Sequence, residues 1–416
     1  MKINEVSYTP HWYIIEAKEG KNVHLTHLED LVFDRGYAGA TQAVQYLNGV
    51  RDMLAQGGSK TQKVTVKWDG APAVIVGVDP QDGKFFVGTK SVFAKSPKLV
   101  KDKKSLDEYY KGTPLHEILG YVYQYLKPLG IKGVIQGDLL FSPLRPPEAT
   151  EIDGESYIVF RPNTITYAVK QDSDLAERIS KAKLGVVFHT AYEGDSISNM
   201  QSSFGVDVTP YQGNSNVWIE DAYYKDYTGS ATLTDQENQS ISSAIKSISS
   251  QLKKVNQASF DKFLNEPDIS EMLNIFMNQQ VRGGETLDDP RAFLNDFLEF
   301  YKNRQQNEVA KLKGGPDSPA AQKRLSKIDQ LNKFVNSNTK TLLIMLEIYR
   351  QIIAAKLMLI KKLNTVEGIG TFLKTDTGYK VTNPEGFVAI GHEGGAVKLN
   401  DRLEFNRANF TLAKEW

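Results

Sequence analysis

The chain has 416 residues, of which 40% are hydrophobic and 24% are charged, and its formal net charge is zero. This is the composition of an ordinary globular protein, and the length predicts two or three domains. The balanced charge excludes nucleic-acid binding through the overall field, so such a partner needs a local basic surface. Cysteine is absent, which excludes disulfides, thiolate metal sites and cysteine nucleophiles. The N-terminal residues lack a signal-peptide pattern, and we expect a soluble cytoplasmic protein without a membrane partner.

The first 60 residues contain a strand-like run, Trp12–Glu16, and a helix-like segment around residues 40–54. His24 and His27 lie between them. Two histidines three positions apart, with no third ligand nearby, indicate structural histidines rather than a metal site. We expect this segment to pack against the sheet that follows.

The next segment carries Lys67-Trp68-Asp69-Gly70 between two β-type runs, residues 64–66 and 73–77. The pattern predicts a hairpin whose strands are joined by a tight Asp-Gly turn. A lysine at the mouth of such a turn, beside a glycine that lets backbone approach a ligand, is placed to act as a nucleophile. The alternative is a surface hairpin with a solvated lysine.

Two later β-type runs contain charged residues. Residues 83–93 alternate so that Phe86, Gly88 and Lys90 share one face of a predicted strand, where Lys90 either binds a phosphate or is solvated. In the run 133–141 the apolar pattern is interrupted by Asp138. A carboxylate there must be paired, hydrogen-bonded or at a sheet end, which makes Asp138 a site candidate.

From about Ser230 the apolar period changes from 2 to 3.6, and strand patterning resumes at residues 378–390. This predicts a helical domain, residues 231–365, inserted into a β-rich domain formed by residues 1–230 and 366–416. The predicted helices are Asp235–Val255, Ile269–Gln280, Arg291–Leu312, Ala320–Phe334 and Thr339–Leu363.

The helical block has a modest positive charge, because residues 236–363 hold 19 Lys/Arg and 14 Asp/Glu. Two interpretations remain open. The block is either a nucleic-acid clamp that contacts phosphates, or a solvated helical surface or oligomerisation domain. The clamp interpretation would use Lys253, Lys254, Arg282, Lys311, Lys313, Lys323 and Arg324.

An ordered set of short motifs resembles motifs I, Ia, III, IIIa, IV and V of the covalent nucleotidyltransferase superfamily. Within it, the chain resembles the ATP-dependent RNA ligases of the kind encoded by phages, over about residues 60–200 and 375–400. The resemblance implies an α+β protein with a nucleotidyltransferase (ATP-grasp-like ligase) fold of antiparallel sheets and an inserted all-α domain. The motifs are Lys67-x-Asp69-Gly70, Gly88-Thr89-Lys90-Ser91, Gly137-Asp138-Leu139, Val187-Phe188-His189, Glu385-Gly386-x-Val388 and Val397-Lys398-Leu399.

The resemblance implies that Lys67 attacks the α-phosphate of ATP, giving lysyl-AMP and pyrophosphate. By the same resemblance, AMP then passes to the 5′-phosphate end of an RNA and a 3′-hydroxyl displaces it, in the host cytoplasm if the chain is phage-encoded. Lys67 must be neutral to attack, so desolvation and a neighbouring cation, Lys398, are expected to lower its pKa.

The remaining roles are also implied by the resemblance. Asp69 orients the lysine, Gly70 admits the ribose, Lys90 contacts phosphate or ribose, Asp138 holds a ribose hydroxyl, Phe188 stacks on adenine, Glu385 binds Mg²⁺, and Lys398 neutralises the α-phosphate.

The chain departs from the family pattern in three places, one of which is the helical block between motifs IIIa and IV, far longer than a ligase needs. Motif V usually has a second lysine, and none accompanies Lys398 here. The chain ends soon after this motif, and we expect no C-terminal barrel of the kind that DNA ligases have. This expectation favours the RNA-ligase branch. His189 is interpreted as structural, because the implied chemistry needs no histidine base. Two alternative functions remain: nucleotidyl transfer to a protein or small molecule, and a non-catalytic pseudo-ligase that binds nucleotide or nucleic acid.

Overall fold

The computed structural model describes residues 25–55, 63–223, 232–266, 268–365, 369–375, 378–381, 386–391 and 395–404. It is a mixed α+β protein, 51% helical and 23% strand, with several sheets. The predicted α+β class is therefore confirmed. Within these ranges, no helix combines the length and apolar character needed to cross a membrane.

The described helices are α1 (Leu31–Ala55), α2 (Lys103–Tyr110), α3 (Leu115–Leu126), α4 (Asp174–Lys181), α5 (Asp235–Leu252), α6 (Gln257–Phe260), α7 (Ile269–Gly283), α8 (Pro290–Ala310) and α9 (Pro319–Leu363). The described strands are β1 (Lys63–Lys67), β2 (Ala73–Val78), β3 (Phe85–Gly88), β4 (Val134–Phe141), β5 (Glu148–Ile152), β6 (Glu155–Phe160), β7 (Ile165–Lys170), β8 (Leu184–Glu193), β9 (Gln201–Phe204), β10 (Val217–Asp221), β11 (Gly370–Thr375), β12 (Gly378–Val381), β13 (Gly386–Ile390) and β14 (Ala396–Leu399).

The chain divides into two compact units. The first, called the sheet unit here, contains residues 1–25, 64–227 and 367–396. The second, called the helical unit, contains residues 26–63, 228–366 and 397–416. Residues 26–63 and 397–416 were predicted to belong with the β-rich domain, and the structure places them in the helical unit instead.

The sheet unit is built on two main sheets. Sheet 1 has the strand order β10-β8-β4-β2-β3, with β9 also paired to β8, and sheet 2 has the order β12-β11-β7-β6-β5. Strand β2 is antiparallel to β3 and β4, and β4 is antiparallel to β8, whereas β10 is parallel to β8. Strand β1 lies next to β13, outside both main sheets.

One face of sheet 1 is covered by α2 and α3. Alternate strand residues point to this face, because successive side chains of a strand point to opposite sides. Val74 and Val76 of β2 and Phe188 of β8 pack there with Leu119 and Val122 of α3. The opposite face carries Ile75, which belongs to a separate apolar cluster. The two faces of sheet 1 therefore have different neighbours.

The helical unit is held together by amphipathic helices. Helix α5 begins with a capping box, in which the Glu237 N–H donates to the Thr234 hydroxyl and the Thr234 N–H donates to the Glu237 carboxylate. Its apolar residues recur at intervals of three and four and form the buried face that packs against α1 and α9: Ile241, Ile245, Ile248 and Leu252.

Residues 26–63 belong to the helical unit because buried charges and an aromatic stack bind them to α9. The Glu29 carboxylate accepts hydrogen bonds from Lys356 Nζ at 2.8 and 2.9 Å. Phe33 stacks on Tyr349 with ring centroids 4.3 Å apart. His27 Nδ1 donates to Asn400 Oδ1 at 2.8 Å, as expected for a structural histidine.

Helix α9 is one continuous helix of 45 residues, whereas two helices were predicted over the same range. The predicted gap, residues 335–338, holds no glycine or proline. Asn and Ser lower helix propensity by less than 1 kcal/mol each, roughly, which packing readily overcomes.

Candidate functional site

The Lys67–Gly70 segment carries the chain from one sheet to another. Strand β1 ends at Lys67 beside β13, and strand β2 begins at Ala73 in sheet 1. The predicted hairpin is therefore wrong, because the two strands are not paired with each other. The β-type runs themselves are confirmed, but the Asp-Gly segment between them changes sheets.

Asp69 fastens this segment to sheet 2. Its carboxylate is buried and accepts three hydrogen bonds, from the Asn163 side chain at 2.7 Å, the Thr164 N–H at 2.8 Å and the Ile165 N–H at 2.9 Å. The Asp69 N–H donates to the Tyr167 hydroxyl at 2.7 Å. All these partners lie in the β6–β7 turn or in β7. Asp69 thus positions the backbone two residues after Lys67.

Gly70 allows the same segment to pack closely against sheet 1. A Cβ atom at this position would lie 2.4 Å from Asp138 Cβ and 3.0 Å from the Leu139 carbonyl oxygen, so only glycine fits. The Ala71 N–H donates to that same carbonyl at 3.0 Å. The structural reason for this glycine is its close approach to β4.

Asp138 and His189 form a pair on the face of sheet 1 that α3 does not cover. In β4, Asp138 lies opposite Val187 of β8, and a β-bulge leaves His189 as the extra residue between Phe188 and Thr190. A bulge re-aims a side chain. His189 Nε2 lies 3.6 Å from Asp138 Oδ2, and His189 Nδ1 is 2.7 Å from the Thr190 hydroxyl.

The pKa values of this pair are shifted in opposite directions. Burial raises the pKa of the Asp138 carboxyl; the positive charges of His189, Lys67 and Lys90 oppose this rise, and Asp69 adds to it. Burial lowers the pKa of His189, with Asp138 opposing and Lys67 contributing. The charges of Lys67, Lys90, Asp69 and His189 therefore all act on Asp138, and the resemblance implies site roles for these residues except His189.

Lys90 reaches this site from a position that differs from the prediction. Strand β3 ends at Gly88, and Lys90 is the first residue of a 3₁₀ turn, Lys90–Phe93, capped by Thr89. The predicted strand face shared with Phe86 is therefore wrong for Lys90. Its side chain is exposed, and its charge nevertheless acts on Asp138.

Phe188 does not fit the adenine-stacking role that the resemblance implies. Its side chain is fully buried on the α3-covered face of sheet 1, among Val186, Leu139 and Leu119. Asp138 and His189 point to the other face. The strand was predicted correctly, but the aromatic residue belongs to the core.

Aromatic residues that the sequence analysis did not single out surround Trp68. Its ring lies 4.9 Å from Tyr167 of β7 and 6.2 Å from Trp218 of β10, centroid to centroid. Phe160 stacks on Tyr167 at 5.4 Å. These rings pack the Lys67–Gly70 segment between the two main sheets. Their spacing along the chain gives no local signal, so they emerge only from the fold.

Two further predicted site residues are Glu385 and Lys398. Glu385 is outside the described residues. Lys398 belongs to the helical unit, where its N–H donates to the Thr26 carbonyl at 2.9 Å and its carbonyl accepts from Leu28 at 3.1 Å. Burial lowers the pKa of Lys398, Asp30 opposes this, and Arg402 contributes to it.

Two carboxylates, Asp69 and Asp138, belong to the described part of the site. No group of three or more His, Asp or Glu side chains among the described residues is arranged to hold a metal ion. Asp69 uses its oxygens in the three bonds above, which leaves Asp138 as the nearby carboxylate. Protein-held Mg²⁺ commonly shares one or two carboxylates with substrate phosphates, and Asp138 is a carboxylate of that kind.

The clamp residues predicted in the helical unit are partly neutralised. Lys311 Nζ lies 2.8 Å from Glu308 Oε1, and Arg324 lies 3.8 Å from Glu308 Oε2. Surface pairs of this kind reduce the net positive field without removing it.

Fold and site together define a mixed α+β protein with a lysine, two acidic groups and a histidine gathered where the chain passes between two sheets. The chain matches a family of unknown function, DUF6267, over residues 22–414, and it belongs to that family. Comparison with curated proteins and with solved structures gave no match.

Proposed function

We propose that the protein is an ATP-dependent nucleotidyltransferase that forms lysyl-AMP at Lys67, and that it acts as a polynucleotide ligase on RNA ends. One observation carries this proposal. Lys67 ends strand β1 where the chain passes from one sheet to another, and its charge acts on both Asp138 and His189, so it does not lie at the tip of a solvated hairpin. A nucleophilic lysine requires such a preorganised, partly desolvated setting.

Two features of the segment support the nucleophile role. Asp69 holds the backbone to sheet 2, and Gly70 lets the backbone pack closely against sheet 1. The position of the Lys67 backbone, just before them, is therefore defined. Lys90 adds a second positive charge near Asp138, of the kind that binds a phosphate group. In this proposal Mg²⁺ arrives with the phosphates of ATP, and no step is assigned to an ion held by the described residues.

The first test measures covalent labelling. The full-length protein is incubated with α-³²P-ATP and Mg²⁺ and analysed by denaturing electrophoresis, beside Lys67→Ala and Lys67→Arg. The expected result is a labelled band in the native protein only, reversed by pyrophosphate, with AMP mapped by mass spectrometry to the peptide containing Lys67. Lys67→Arg keeps the positive charge but offers no amine nucleophile, so it separates chemistry from nucleotide binding.

The second test identifies the acceptor. The labelled protein is mixed with 5′-phosphorylated RNA, single-stranded or nicked, and with matching DNA. Transfer of AMP to the RNA 5′ end, followed by sealing to a 3′-hydroxyl, is expected. Labelling without transfer to any polynucleotide would redirect the acceptor to a protein or small molecule. Absence of labelling in the native protein would contradict the nucleotidyltransferase assignment itself.

A further inference from the structure

We propose that residues 90–104, called the lysine segment here, bind the sugar–phosphate backbone of the RNA whose end is joined. This inference rests on the proposed function, which supplies RNA as the partner. The segment holds six lysines and one acidic residue, Asp102, although the whole chain has no net charge. A protein with balanced charge needs a local cluster of this kind to attract phosphates.

The lysine segment is more densely charged than the helical unit. Residues 236–363 hold 19 Lys/Arg and 14 Asp/Glu, a surplus of five positive charges over 128 residues. The lysine segment has the same surplus over 15 residues. Exposed charges more than about 10 Å apart are largely screened at 0.1 M salt, so the density of charge decides how strongly a phosphate is attracted. The density favours the lysine segment as the RNA-binding surface.

Four of the six lysines are available to a ligand. Lys101 Nζ lies 2.6 Å from Asp79 Oδ2 and 2.8 Å from Asp82 Oδ2, and Lys103 Nζ lies 2.6 Å from Asp107 Oδ2. The other four side chains are exposed, and within the part of the chain that the structure describes they form no ion pair: Lys90, Lys95, Lys98 and Lys104. Their positive charges can therefore be neutralised by phosphates.

The backbone of the lysine segment is held in place by the sheet unit. Val100 is buried, its N–H donates to the Val87 carbonyl at 2.9 Å, and its carbonyl accepts from the Val87 N–H at 3.0 Å. These bonds join the segment to β3, the edge strand of sheet 1. The Lys98 N–H donates to the Ser91 carbonyl at 3.2 Å, and the Lys98 ammonium lies 5.8 Å from the Tyr110 ring centroid. Because the backbone is fixed in advance, less conformational entropy is lost when the lysines contact phosphates.

The lysine segment begins near the Lys67–Gly70 segment. Ile75 of β2 pairs with Gly88 of the antiparallel strand β3, so the C-terminal end of β3 lies beside the N-terminal end of β2. Strand β2 begins three residues after Gly70, and the lysine segment begins two residues after Gly88. The segment therefore starts at the end of sheet 1 to which the proposed reaction is assigned, as expected for a surface that holds the RNA being joined.

The chemistry of the segment favours a polynucleotide over a membrane surface. Its large apolar residues are not available to lipid, because Val92 and Val100 are buried and Phe93 and Leu99 pack against the apolar cluster that contains Ile75. Peripheral membrane attachment commonly combines basic residues with apolar side chains that enter the lipid. The exposed side chains here offer positive charge, which binds a polynucleotide by releasing the counterions of its phosphates.

The test measures RNA binding by the full-length protein as a function of salt. A short single-stranded RNA with a 5′-phosphate and a 3′-fluorescein is titrated in KCl between about 50 and 200 mM, and fluorescence anisotropy gives the Kd at each salt concentration. The segment variant combines Lys95→Ala, Lys98→Ala and Lys104→Ala. Lys90 is left unchanged because the proposed function assigns it to the nucleotide.

The matched control removes three exposed lysines from the helical unit, by combining Lys253→Ala, Lys254→Ala and Lys313→Ala. It also tests the clamp interpretation of that unit. A third variant replaces the same three lysines of the segment with arginine, which keeps the positive charge. Circular dichroism and thermal unfolding establish that each variant is folded.

We expect the alanine variant of the segment to bind RNA more weakly and with less dependence on salt. Each phosphate contact on a single strand contributes about 0.7 to the slope of log K against log salt, so losing three should reduce the slope by about 2 and the affinity by about 100-fold at 0.1 M salt. The arginine variant should retain most of the affinity. The helical-unit variant should bind RNA as the native protein does.

Three results would overturn the inference: native affinity and slope in the alanine variant of the segment, a loss confined to the helical-unit variant, or a native protein that binds no RNA. Binding to vesicles of phosphatidylcholine and phosphatidylserine that is lost in the segment variant, with RNA binding unchanged, would assign the segment to a membrane surface instead. ATP labelling is measured separately. A native protein that never labels but binds RNA through these lysines would contradict the proposed reaction and leave this inference standing.

Discussion

Lys356 and Glu29 form an ion pair whose side chains are 1% and 0% exposed, with the ammonium 2.8 Å from one carboxylate oxygen. Arg402 lies 3.5 Å from the same carboxylate and 2.8 Å from Asp30 Oδ1. The Tyr349 hydroxyl donates to Asp30 at 2.7 Å. The helical unit therefore contains a buried network in which every charge faces an opposite charge.

Removing one charge from this network should be strongly destabilising. Glu29→Gln leaves Lys356 without its counter-charge in a buried position, and we expect the free energy of unfolding to fall by about 3–5 kcal/mol. Urea denaturation of the full chain measures the change. Glu177→Gln is the control, because its pair with Lys181 is exposed to solvent and should contribute little to stability. An equal, small effect of both substitutions would contradict the prediction.

The same pair predicts sensitivity to acid. Burial alone would raise the pKa of Glu29, but Lys356 and Arg402 hold it at about 2, below the ordinary value of 4.5. A carboxyl with a depressed pKa in the folded state stabilises the fold fully above pH 4.5, and this contribution is lost as the pH falls towards 2. Unfolding free energies measured across this window should decline more steeply in the native protein than in Glu29→Gln. Parallel pH curves would contradict this.

Asp69→Asn should loosen the Lys67 segment without changing its size. An amide offers only one acceptor oxygen, so one NH₂ group must face a donor from Asn163 or from the Thr164 and Ile165 backbone. We expect a loss of about 1–3 kcal/mol in stability and weaker labelling by ATP. Asn163→Ala should act in the same direction, and the double variant should lose less than the sum of the two. Strict additivity would show that the two residues do not act through each other.

Gly70→Ala should disturb the packing of the Lys67–Gly70 segment against sheet 1. The added Cβ would press on Asp138 Cβ from 2.4 Å, so backbone must shift, at about 1–3 kcal/mol. Gly120→Ala is the matched control: in helix α3 the new Cβ meets only Leu106 at 3.4 Å, and alanine favours a helix by about 1 kcal/mol. Thermal unfolding and ATP labelling should both fall for Gly70→Ala and stay level or rise for Gly120→Ala.

Phe188→Leu distinguishes a core residue from a ligand contact. Because the ring is fully buried against α3, shortening it should lower stability by about 1–2 kcal/mol, less than truncation to alanine. The KM for ATP in the labelling reaction should stay unchanged in the folded variant. A large rise in KM without loss of stability would restore the stacking role.

Local patterns predicted the strands and helices well, because period and turn chemistry act over a few residues. The run ending in Phe141 is a strand with Asp138 inside it, as expected from the interrupted apolar pattern. The break between two helices near residue 336 was wrong, since nothing there forbids a helix. Helix boundaries are decided by packing as much as by propensity.

Long-range choices were not predictable in the same way. In sequence, the Asp-Gly segment has the pattern of a hairpin turn. Its path in the fold depends on contacts with Asn163 and with Asp138, which lies against Gly70, and no local pattern connects either residue to the segment. Alternation along β8 reveals neither which side the helices cover nor the bulge that re-aims His189 after Phe188. Likewise, Glu29 pairs with Lys356, 327 positions later in the chain, and no local pattern predicts that pair.

The anchoring of Asp69 also sets an order of events during folding. Its partners Asn163 and Tyr167 come 94 and 98 positions later in the chain. The backbone that follows Lys67 is therefore not held in place until β6, β7 and the turn between them have folded. A nascent chain that stops short of Asn163 contains the whole Lys67–Gly70 segment but not the bonds that hold it. If Lys67 is the nucleophile proposed above, the chain becomes able to react with a nucleotide only after that later portion has folded onto the earlier one.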